Sequence, residues 1–119
     1  MDVSFEERVR QAKARITEVM AADAIKRRKT DSSVVWVDVR ELNEWNLFRI
    51  PGALHVPLGN VSQRAAGEIP RDKDVVIYCS SGNRSAVAAD TLQELGYDRV
   101  SSLAGGIRGW VNAGGEVED

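Results

Sequence analysis

The chain has 119 residues, 43% of them hydrophobic, the size and apolar content of one domain around a single core, with no support for a second. A formal net charge of −2 gives little long-range attraction for nucleic acid or an anionic membrane surface, so neither partner is expected. No apolar run reaches the length of a signal peptide or a membrane-spanning helix, and one cysteine cannot form an internal disulfide. A cytoplasmic, reducing setting that keeps a thiol free is therefore expected.

In chain order, Ser4-Phe5-Glu6-Glu7 has the form of a capping box, and Phe5, Val9, Ala12 and Ile16 then share one helical face. This predicts an amphipathic helix within residues 1–15, packed on a main domain over 16–119. Its basic residues Arg8, Arg10, Lys13 and Arg15 read as a solvated face before they read as a docking arm. Ile16 to Met20 suits a short edge strand. Ala21 to Lys29 suits a helix whose terminal Lys26-Arg27-Arg28-Lys29 complements the helix dipole.

Val34-Val35-Trp36-Val37-Asp38-Val39 is nearly all apolar and rich in β-branched residues, as a strand covered on both faces requires. Asp38, Arg40 and Glu41 interrupt that pattern at the strand's carboxyl end, the edge where open α/β sheets bind ligands. A loop-bracing ion pair is the plainer reading of Asp38 and Arg40. A short helix follows from Glu41 to Leu47, then a turn at Ile50-Pro51-Gly52-Ala53 and a strand from Leu54 to Leu58. His55, the only histidine, is read as structural, because an ionised thiol needs no imidazole base. Val61 to Ala66 is a short helix or turn.

Asp74 to Tyr78 predicts a central strand, and Cys79-Ser80-Ser81-Gly82-Asn83-Arg84-Ser85 a tight polar loop running into a helix. Along that helix Ala86, Val87, Ala89, Leu92 and Leu95 form the apolar face, and Gly96 supplies the stop. A helix start presents unpaired backbone N–H groups and the positive end of the dipole, so a loop wrapped onto it cradles anions. Here the anion is expected to be a thiolate, which makes Cys79, beside Arg84, the candidate nucleophile. Val100 to Leu103 is a last strand, and Ile107 to Ala113 a closing helix reached through Ala104-Gly105-Gly106. Trp36, Trp45 and Trp110 are read as core rather than as a substrate box. Strands alternating with short helices indicate an α/β domain with a mainly parallel sheet.

Three pieces of the chain together resemble the single-domain members of the rhodanese-like sulfurtransferase family over about residues 16 to 117. They are Val37-Asp38-Val39-Arg40-Glu41 with Ile50-Pro51-Gly52-Ala53, then Cys79 through Ser85, then Leu103-Ala104-Gly105-Gly106 with Trp110 and Gly114. The resemblance implies a central parallel five-stranded sheet flanked by helices on both faces, here with an extra N-terminal helix. It implies that Cys79 takes a sulfane sulfur from a donor such as thiosulfate, holds it as a persulfide, and passes it to cyanide or a thiol. The backbone N–H groups of Ser80, Ser81, Gly82, Asn83, Arg84 and Ser85 would cradle that sulfur, and Arg84 would orient the donor and help hold the thiolate. Asp38 and Arg40 resemble the family's bracing pair.

Two departures stand out: Phe48-Arg49 replaces a common Gly-His, and Ser80 follows the cysteine where a cation is common. With Arg84 as its only cation, the loop is expected to bind dianionic thiosulfate weakly, which makes a small or protein-borne persulfide a rival donor and a protein sulfur carrier a candidate partner. No metal-ligand spacing or nucleotide fingerprint occurs, so no cofactor beyond the transient persulfide is expected. Two other readings stay open. One is a cysteine-dependent phosphatase or arsenate reductase, although that signature places five residues between Cys and Arg and this chain has the four from Ser80 to Asn83. The other is a non-catalytic protein-binding module of the same fold.

Overall fold

A computed structural model describes residues 3–119. Five strands, β1 (Thr17–Val19), β2 (Val35–Asp38), β3 (Leu54–His55), β4 (Val75–Tyr78) and β5 (Val100–Leu103), form one sheet in the order β1-β5-β4-β2-β3, every pair parallel. Six α-helices connect and cover them: α1 (Phe5–Lys13), α2 (Ala21–Thr30), α3 (Leu42–Leu47), α4 (Val61–Glu68), α5 (Asn83–Glu94) and α6 (Gly106–Asn112). A 3-10 turn at Leu58–Asn60 leads into α4.

Alternation along the strands sorts the core into two layers. Val37, Val75, Ile77 and Cys79 pack with Val61 and Ala65 of α4 and with Ala88, Ala89 and Leu92 of α5. Trp36, Val76 and Tyr78 face the other way, against Ala24 of α2 and Ile107 and Trp110 of α6. Period-two side-chain direction on a sheet buried on both sides produces this division, and it explains why the strand sequences are continuously apolar. β4 lies in the middle, with all four residues buried. Because every strand is parallel, the carboxyl ends of β2, β4 and β5 open onto one sheet edge, and the three motifs meet there.

Several sequence expectations change in detail. The strand foreseen at Leu54 to Leu58 is ladder-paired only over Leu54–His55, since the chain leaves the sheet edge before Pro57. Leu95 sits at the end of α5 and is exposed, so it does not extend the apolar face. In α1, Ser4 caps the helix through the Glu7 N–H at 3.1 Å, as the capping box requires. Of its apolar stripe, however, only Ala12 is buried and Phe5 is exposed, so the seam against Ala86 and Val87 of α5 is narrow. Trp36 and Trp110 do belong to the core, meeting edge to face with centroids 5.3 Å apart. Trp45 does not: it is half-buried on α3, stacked on His55 at 4.8 Å.

Candidate active site

β4 ends at Tyr78, and the next residue, Cys79, is 1% exposed in the same cluster as Val37, Val39 and Ile77. Polar groups reach its sulfur from the helix side. The Gly82 N–H donates to Sγ at 3.1 Å and the Ser85 N–H at 3.4 Å. The Ser85 hydroxyl oxygen lies 3.4 Å from Sγ and 2.8 Å from the hydroxyl of Ser102 on β5. Both N–H groups belong to the start of α5, where no intrahelical acceptor exists. The sulfur occupies the place a capping side chain would take.

Glycines make this geometry attainable. Gly82, the N-cap of α5, has φ +102°, and a Cβ there would press on the Gly105 nitrogen at 3.2 Å. At Gly106, φ is +60° and a Cβ would lie 2.4 Å from the Ser80 carbonyl, so no other residue lets the start of α6 touch the loop. Through that contact the Ile107 N–H donates to the Cys79 carbonyl at 2.8 Å, and the Arg108 N–H to the Ser80 carbonyl at 3.2 Å. In trans peptides this turns the Ser80 and Ser81 N–H groups away from α6.

Arg84 does not contact the cysteine as expected. Among the described residues its hydrogen-bond partners are Glu44 of α3, with Nη1 donating to Oε1 at 2.7 Å and Nη2 to Oε2 at 3.0 Å, and the Ser80 hydroxyl at 3.2 Å. Ser80 itself donates to Glu44 Oε2 at 2.9 Å, and the Glu41 N–H to Oε1 at 3.0 Å. Hydrogen bonding from Arg84, followed by the Glu41 N–H and Ser80, holds the Glu44 carboxyl down at about 2 against the cost of its burial. The Glu44 bond raises the Arg84 pKa above its ordinary value, with the Cys79 charge adding to it. Sequence distance hid Glu44, since 40 residues separate it from Arg84. A capping-box glutamate in a helix that starts at the sheet's active edge is the signal that marks it.

Asp38 and Arg40 meet as the bracing reading expects, both almost fully buried. Arg40 Nη2 donates to Asp38 Oδ2 at 2.8 Å and to the Phe48 carbonyl at 2.6 Å, while Asp38 Oδ1 accepts the Arg40 N–H at 2.8 Å. His55 Nε2 sits 2.8 Å from the Arg40 carbonyl. This cluster grips both ends of α3, the helix that carries Glu44. Phe48-Arg49, the departure from the common Gly-His, has its own use: Arg49 pairs with Glu118 through two backbone hydrogen bonds of 2.9 and 2.8 Å and lies over Trp45. Ser81 and Asn83 are exposed on the outer side of the loop.

A family model described as the rhodanese-like domain matches residues 21–113. The chain belongs to this rhodanese-like family. Among its relatives is a sulfurtransferase of Allochromatium vinosum, 42% identical over 94 residues that cover 78% of this chain and 87% of the relative. YrkF of Bacillus subtilis, provisionally named a sulfur carrier protein, is 40% identical over 81 residues, 68% of this chain but only 43% of its own length. A solved structure from Rhodopseudomonas palustris superposes with a TM-score of 0.90 at 32% identity, covering 99% of this chain and 96% of that one; it is a protein of unknown function described as a "possible tyrosine phosphatase". The rhodanese-like domain is thus of sulfurtransferase kinship, and its five-stranded parallel sheet is the one the motifs imply.

Proposed function

We propose that the protein is a sulfurtransferase that carries sulfane sulfur as a persulfide on Cys79, from thiosulfate or a persulfide donor to a nucleophilic acceptor, cyanide or a thiol. The observation that supports this most is the pair of helix-start N–H groups, from Gly82 and Ser85, aimed at Sγ. They favour the ionised sulfur, and a cysteine serving only as core filling would have no use for them.

In the first step the Cys79 thiolate attacks the outer sulfur of the donor. The donor's S–S bond breaks, its electron pair leaves with sulfite or with a carrier thiolate, and a new S–S bond remains on Cys79. In the second step the acceptor attacks the terminal sulfur and Cys79 departs again as thiolate, stabilised by the same N–H groups. The loop amides from Ser80 to Ser85 cradle the terminal sulfur. Arg84 keeps the loop closed against α3 and directs its remaining N–H groups to the mouth. Asp38 and Arg40 act at a distance, by fixing α3. A protein acceptor or donor is in keeping with a relative named as a sulfur carrier.

A phosphatase would need a carboxylic acid to protonate its leaving group. The carboxyl at this loop is Glu44, whose low pKa of about 2 leaves it ionised at neutral pH, accepting from Arg84, Ser80 and Glu41. The reading is tested by single turnover: enzyme loaded from a donor and freed of it is mixed with cyanide. One equivalent of thiocyanate per Cys79 is expected, and none from Cys79→Ser. Phosphate release from an aryl phosphate without any sulfur transfer overturns it.

A further inference from the structure

We propose that Glu44 is a specificity-determining residue that screens sulfur donors by charge, disfavouring a dianion such as thiosulfate and favouring the low-charge persulfide of a small thiol. The inference rests on the sulfurtransferase reading and names the donor class of the same site.

A single cation stands in the Cys79 loop, and its charge is committed. Arg84 meets both Glu44 oxygens, and the Ser80 hydroxyl, the other polar side chain at this side of the loop, also turns to Glu44. Glu44 stays ionised over the whole working pH range. With Cys79 as thiolate, these three residues sum to one net negative charge. The Arg84 and Glu44 side chains are 29% and 26% exposed, so solvent screens the pair only in part. A dianion entering here meets a neutralised guanidinium and a carboxylate. A neutral persulfide meets the same sulfur cradle without that repulsion.

Removing the charge while keeping the shape separates this role from a structural clip. Glu44→Gln retains an oxygen for Arg84 and Ser80. Loading of Cys79 is followed with three donors: thiosulfate, the neutral persulfide of 2-mercaptoethanol, and the persulfide of 3-mercaptopropionate, which differs from the second by one carboxylate. For the wild type, kcat/KM is expected to fall from the neutral persulfide to the charged one to thiosulfate. For Glu44→Gln, kcat/KM for thiosulfate is expected to rise about tenfold, chiefly through KM, with the neutral persulfide changed by less than about twofold and the charged persulfide between them. Ser80→Lys, which adds a cation and leaves Glu44 in place, is expected to move thiosulfate in the same direction, so the test survives if Glu44→Gln folds poorly.

Equal use of thiosulfate and the neutral persulfide by the wild type overturns the inference. So does a uniform loss with all donors in Glu44→Gln, which is the behaviour of a clip. Loading by every donor with no charge ranking sinks the screen and leaves the sulfurtransferase reading standing, whereas no loading from any donor sinks both.

Discussion

At the scale of single residues, two carboxylates do different work. Asp38 is fully buried and Arg40 is its ion-pair partner. Arg40→Ala would strand a buried carboxylate and free the Phe48 carbonyl, and a loss of about 3–5 kcal/mol is expected in chemical denaturation. A loss below about 1 kcal/mol would mean that the pair does not brace α3. Glu44 shows itself through pH. Its pKa is depressed from an ordinary 4.5 to about 2, so its contribution to stability is complete above about pH 4.5 and is lost as pH falls through about 2. The stability gap between wild type and Glu44→Gln should therefore shrink as denaturation curves are taken from pH 5 down to pH 2. A gap constant over that range would show that the carboxylate gains nothing from Arg84.

At the scale of elements, the loop owes its shape to two helix starts. That of α5 faces the sulfur and that of α6 holds the Cys79 and Ser80 carbonyls, with Gly106 as the point of closest approach. Gly106→Ala would force a Cβ into the Ser80 carbonyl at a positive φ. It is expected to cost about 1–3 kcal/mol and to reduce sulfur loading more than the lost stability explains. Loading at the wild-type rate would show that the α6 contact does not shape the loop.

The same elements show where the sequence was readable. Strands β2 and β4 were legible because burial on both faces leaves an unbroken apolar run, and the Cys79 loop because strand, polar turn and helix follow one another locally. Glu44 was not, since a 40-residue separation in sequence becomes a hydrogen bond only after β2 and β4 pair and bring α3 beside the loop. Arg84 was correctly placed at the loop, but its partner was misjudged for the same reason. Trp45 was assigned to the core because composition does not distinguish a ring inside a layer from one stacked on the rim against His55.

At the scale of the whole molecule, parallel pairing gathers the carboxyl ends of β2, β4 and β5 at one edge, while α1 lies away from that edge on the back of α5. Its hold is modest: Ala12 is buried, and Arg15 pairs with Asp90 at 2.6 Å beyond the helix end. We therefore propose that residues 16–119 form the domain proper. A truncation to that range should keep its circular dichroism and its sulfur loading, with stability lower by about 1–3 kcal/mol from the uncovered Ala86 and Val87. An unfolded truncation would make α1 part of the core. No helix among the described residues is long and apolar enough to cross a membrane. The account as a whole turns on whether Cys79 carries sulfur. Intact-mass spectrometry after incubation with a persulfide donor should show one added sulfur atom, removed by excess thiol and absent in Cys79→Ser. A mass that no donor changes would contradict it.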